Sequence, residues 1–101
     1  MKLLLCSIPR SDANVFARLL VTDLGAACVS VNDSVTSVYH WQGELCEEPE
    51  SLLMIKVASA KADELREALV KQHPYDLPEV LSLALDDAGS YAPYMDWVEQ
   101  S

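Results

Sequence analysis

The side chains best suited to chemistry are gathered in one connector, His73-Pro74-Tyr75-Asp76-Leu77-Pro78-Glu79. It offers an imidazole that can ligate a soft or borderline metal, and a phenol and carboxylates that can exchange hydrogen bonds or hold a cation. Its two prolines exclude a regular helix and a central strand. Leu77, which precedes Pro78, is driven toward extended backbone. A stiff connector of this kind loses little freedom on ligation, so His73, Tyr75 and Glu79 are candidates for a binding site. Far away in the chain, the thiol of Cys6 is a second soft donor suited to copper or zinc. Two donors fall short of a tight site, and a third would come from Glu79, a water or a neighbouring chain. His73 also has a purely structural reading, as a C-terminal helix cap that hydrogen-bonds loop carbonyls.

Other reactive groups point more weakly. Cys28 sits between apolar neighbours and reads as a small core residue. Cys46 is flanked by Glu44, Glu47 and Glu48, which disfavour its thiolate. Glu47-Glu48-Pro49-Glu50 has no cation-loop spacing and reads as a solvated bend that discourages wrong edge pairing. No Ser-His-Asp arrangement or phosphate-cradling glycine loop is present, and a His73–Glu79 acid–base pair is only a spacing. The expectation is therefore a protein that is not an enzyme.

The elements that must position these groups follow from patterning. Lys2–Ile8 is a buried strand that Pro9 stops. Ser11 is expected to cap a helix whose inner face is Ala13, Phe16, Ala17, Leu20 and Leu24, with Gly25 ending it. Ala26–Val31 is a second strand, Asn32-Asp33-Ser34 a turn or bend, and Val35–Trp41 a β-branched and aromatic strand. Gln42-Gly43-Glu44 closes a hairpin onto a return strand ending at Val57. Pro49 must sit at a bulge or a free edge. Ser59 is expected to cap a helix over about Ala60 to Gln72, with Ala62, Leu65, Ala68 and Leu69 inward. Val80–Leu85 is a strand, and Tyr91–Gln100 a short terminal helix. The order βαββαβ plus a helix is an α+β, ferredoxin-like sandwich with both long helices on one face of an antiparallel sheet. Leu, Val and Ile occur at both strand parities, so the other face needs a cover, which a further subunit would supply.

One hundred and one residues (residues 1–101) make a single domain. The net charge of −9, from 16 acidic and 7 basic residues, argues against nucleic-acid and anionic-membrane partners and favours cations. No apolar run reaches spanning length. Met1-Lys2-Leu3-Leu4-Leu5-Cys6 is read as a strand, not a leader, because Pro9-Arg10-Ser11-Asp12 interrupts it so soon. Three widely spaced cysteines without a zinc-type spacing suit reduced thiols and a cytoplasmic location.

Several segments, in order, resemble the CutA-like divalent-cation tolerance family. They are Leu24-Gly25-Ala26-Ala27-Cys28-Val29, Ser37-Val38-Tyr39-x-Trp41-x-Gly43, His73-Pro74-Tyr75-x-x-Pro78-Glu79-Val80 and Tyr94-x-x-Trp97, with Glu50 and Lys56 at matching positions of the return strand. The resemblance runs from about Leu4 to Trp97. It implies a PII-like homotrimer whose central hairpins pair between subunits, with a role in tolerance to divalent metals and copper binding in some members. Carried over to this chain, it implies metal ligands Cys6 and His73. It implies an inter-subunit cleft with Glu50, Lys56, Tyr75 and Glu79 that takes a small ligand or a partner protein. Tyr39, Trp41, Tyr94 and Trp97 become interface anchors. Two positions depart from the pattern. Glu44 replaces a Lys after the hairpin glycine, and Gln72 stands where the copper pattern has a second His.

Overall fold

Leu3, Leu4, Leu5, Cys6 and Ile8 lie in β1 (Lys2–Pro9), an inner strand of the sheet in a computed structural model that describes residues 1–101. The chain continues through α1 (Arg10–Thr22), β2 (Cys28–Trp41), β3 (Glu44–Val57), a single 3₁₀ turn (Ser59–Lys61), α2 (Ala62–Gln72), β4 (Val80–Ala84) and α3 (Ala92–Glu99). The sheet order is β2-β3-β1-β4, with every neighbouring pair antiparallel. This is the expected α+β, ferredoxin-like architecture.

Register sorts the side chains onto two faces. Leu4 lies opposite Ile55, Cys6 opposite Leu53, and Ile8 opposite Ser51. Leu4, Cys6, Ile8, Leu53 and Ile55 pack with Phe16 and Leu20 of α1 and Leu65 and Leu69 of α2 into one core. The alternate residues form the second face: Leu3 beside Lys56 and Leu83, and Leu5 beside Met54 and Leu81. Neither long helix covers it, and Met54, Leu81 and Leu83 stay 36–53% exposed. Only α3 reaches one end of it, where Tyr94 and Met95 approach Leu3 and Met54.

Three local expectations are corrected. Asn32-Asp33-Ser34 does not end a strand. It forms a bulge within the single long strand β2, where pairing with β3 jumps between Asn32 and Val35. The bulge is held from outside, because Ser51 Oγ donates to Asp33 O (3.2 Å) and Arg10 reaches Ser34 Oγ and Val35 O. Such non-local partners are invisible to turn propensity. Ser11 is not a cap: Pro9 precedes α1, and no side chain caps it. Ser59 opens the 3₁₀ turn, and its amide and hydroxyl both donate to Glu99 of α3. Gly25 adopts φ +90° three residues past the end of α1, which lets the Ala26 amide reach Leu20 O (2.9 Å).

The hairpin closes as expected at Gln42-Gly43, both with positive φ, as a two-residue turn requires. Its outer half stands clear of the other strands. β1 pairs with β3 only from Glu50 to Val57, so Glu44–Pro49 is bonded to β2 alone. A two-stranded ribbon therefore projects from the sheet, giving the molecule a 45 Å long axis. Pro49 sits in that ribbon, on a segment with a free edge, where its missing N–H is tolerated.

Candidate functional site

The connector after α2 is tied to the sheet at three points. His73 ends α2 with extended backbone (φ −67°, ψ 141°), as a residue before proline must. Its Nδ1 accepts from the Tyr75 amide at 3.1 Å. Nδ1 therefore carries no proton, and Nε2–H is the donor to the Ser7 carbonyl at 2.8 Å. The ring is 8% exposed and meets Phe16 edge-on. Tyr75 turns back beside it, and its hydroxyl donates to Glu50 Oε2 at 2.7 Å. Ser7 Oγ donates to Glu79 Oε2 at 2.9 Å, which anchors the far end of the connector to β1.

Glu50 is the unusual member. It is only 5% exposed, and no ion pair neutralises it. The nearby Arg10 Nε reaches its backbone carbonyl instead (3.4 Å). Burial, then the hydrogen bond to Glu50 and its negative charge, raise the Tyr75 phenol above its ordinary range and keep it a donor.

Connector, sheet and ribbon enclose a cleft of about 850 Å³. Ser7, Glu50 and Glu79 form its floor. Tyr75, Asp76 and Leu77 form one wall, and Ser37, Val38, Tyr39, Trp41 and Glu48 of the ribbon form the other. No Lys, Arg or His lines it. Of the residues expected here, Glu50, Tyr75 and Glu79 come together. Lys56 does not join them. It lies in a separate, mostly apolar hollow with Leu3, Met54 and Tyr94, where its amine donates to Ser30 Oγ and approaches Cys28 Sγ (3.9 Å). Cys28 accordingly sits on the open face, paired with Lys56 across the strands, and not in the core.

Cys6 and His73 both approach the Ser7 carbonyl, Cys6 Sγ at 3.7 Å and His73 Nε2 at 2.8 Å. As folded they do not suit a metal. Both imidazole nitrogens are engaged, and Cys6 is fully buried with its thiol pushed up to about 12, by burial first and then by Glu79 and Glu50. No group of three or more His, Cys, Asp and Glu converges as a metal would need.

Tyr39 and Trp41 are 42% and 46% exposed on the ribbon, and Tyr94 and Trp97 stack at 5.7 Å on α3, with 41% and 51% exposure. Ser7 and Glu48 join the site without being marked for it by sequence reasoning. Ser7 had one signal, as the lone hydroxyl breaking the apolar run of β1.

The CutA1 divalent ion tolerance protein profile matches residues 2–101. A divalent-cation tolerance protein CutA from Thermus thermophilus is 33% identical over 101 residues, 99% of this chain and 96% of that protein. A CutA homolog from Xenopus laevis is 44% identical over 86 residues; the match takes in 85% of this chain but 56% of that longer protein. Among solved structures, a PII-like protein CutA from Nostoc, in apo form, superposes with a TM-score of 0.94 at 37% identity, covering 99% of this chain and 95% of that one. The Thermus thermophilus divalent cation tolerance protein superposes with a TM-score of 0.87 at 34% identity, covering 99% and 97%.

Proposed function

We propose, from the premise that the chain belongs to the CutA1 divalent ion tolerance family, that it serves the response to divalent metal ions as a PII-like homotrimer. We place its ligand in the cleft between the ribbon and the His73–Glu79 connector. The observation that carries this reading is the threefold tie of the connector, through His73, Tyr75 and Glu79, which holds the cleft ready before anything binds. Glu50, Tyr75 and Glu79 are its binding groups, and Lys56 would join only from a neighbouring subunit. The open sheet face and the projecting ribbon support assembly, with Tyr39, Trp41, Tyr94 and Trp97 as contacts. The relatives are named for metal tolerance and not for a reaction, which favours a binding role over catalysis. A cytoplasmic location agrees with three unpaired cysteines.

A second reading puts copper on Cys6 and His73. Their shared approach to the Ser7 carbonyl favours it, but the connector must first release His73, and Cys6 must lose its proton. Native mass spectrometry with and without copper and zinc separates the two. A trimer that takes up no metal, or whose uptake ignores Cys6→Ala and His73→Ala, removes the pair and leaves the cleft reading standing. Uptake of about one copper per chain, lost in both variants, supports the pair. A monomer removes the assembly.

A further inference from the structure

We propose that the cleft takes an organic ammonium ion, a primary alkylamine in its charged form. This rests on the reading of the cleft as the ligand site. The first observation is the Glu50 carboxylate. The residue is only 5% exposed, Oε2 takes the Tyr75 hydroxyl, and Oε1, which takes no protein hydrogen bond, opens on the cleft. An enclosed carboxylate with one protein donor, no counter-cation and a free oxygen facing the cleft favours a positive donor there. The cleft itself supplies none, and Glu48, Asp76 and Glu79 add negative charge around Glu50. Within one protomer an anionic ligand meets only negative charge there.

The second observation separates an ammonium from a bare metal ion. The acidic groups do not converge closely enough to coordinate a metal. The volume of about 850 Å³ is that of a small-molecule site, far more than a bare ion needs. Three aromatic rings, Tyr39, Trp41 and Tyr75, share the lining with Val38 and Leu77. Aromatic faces attract a cation, and apolar side chains cover methylene groups. An ammonium head can donate to Glu50 Oε1 and Glu79 while its carbon chain lies along the rings.

Calorimetric titration of the intact protein with putrescine tests this, with butanediol and succinate as neutral and anionic analogues at matched ionic strength. Putrescine binds, and the analogues do not. Glu50→Gln keeps an acceptor for Tyr75 and hence the closed connector, and it weakens putrescine by about tenfold or more. Tyr39→Leu weakens it at unchanged charge. No putrescine binding to the wild type overturns the proposal. Binding indifferent to Glu50→Gln also overturns it, because the attraction is then the diffuse field of the acidic chain. Succinate binding that Glu50→Gln alters overturns the ammonium class but leaves the cleft as a ligand site, its positive charge supplied by a second copy of the chain.

Discussion

Truncating His73 to alanine tests whether this imidazole is a structural tie or a metal ligand. The side chain makes two hydrogen bonds, to Ser7 O at 2.8 Å and from the Tyr75 amide at 3.1 Å, while 8% exposed. Each is worth about 1 kcal/mol net. The edge contact with Phe16 and the tilted one with Tyr75 together add about 1 kcal/mol. His73→Ala should therefore cost about 3 kcal/mol. For a domain of this size that lowers Tm by about 4–8 °C per kcal/mol. Urea denaturation with a chelator present, at one fixed protomer concentration, is the assay, since an oligomer's midpoint moves with concentration. His73→Phe keeps the ring but neither bond, and it should recover about a third of the loss. If metal-free His73→Ala stays within about 0.5 kcal/mol of wild type while copper uptake disappears, the tie is wrong and the ligand reading is right.

Tyr75→Phe deletes the hydroxyl on Glu50; because Tyr75 is itself 38% exposed, the loss in denaturation experiments should be near the lower end for a charged partner, about 1.5 kcal/mol. Cys6 carries a folded pKa of about 12 against an ordinary 9.0, so the unfolded chain releases this proton first. Its contribution is whole below pH 9.0 and is lost as pH rises toward 12, and denaturation midpoints should fall across that range, less steeply in Cys6→Ala. Tyr75, also raised, adds a loss of the same sign once pH passes the ordinary tyrosine range. Native protein should leave the buried Cys6 unreactive to a thiol reagent until it unfolds. Trp41→Ala, on the free ribbon, should weaken assembly in sedimentation experiments while leaving the core intact; an unchanged trimer of unchanged stability would remove Trp41 from the interface.

The order of elements and the inward faces were legible in the sequence because they depend on period alone. Leu4, Cys6 and Ile8 at period two, and Leu65 and Leu69 at a helical step, declare their faces without reference to anything distant. The stiffness of the connector was equally local, since Pro74 and Pro78 act on their own neighbours. The short motifs, each local, were enough to carry the family. What the sequence left undecided depends on partners many residues away. Asn32–Ser34 reads as a turn by composition, and only Arg10 and Ser51 make it a bulge in a continuous strand. Ser59 looks like a cap until α3 presents Glu99 to it. His73 and Cys6 suggest metal chemistry by residue type, yet Ser7, 66 residues before His73, occupies one imidazole nitrogen and burial holds the thiol protonated. Glu50 and Tyr75, 25 residues apart, become a pair only when the connector folds over β3. Residue type and spacing determine which chemistry is available, because they are carried by each side chain and its near neighbours. Tertiary packing decides which donors are left free and which charge stays unpaired, because hydrogen-bond partners and solvent are allotted only when distant strands meet.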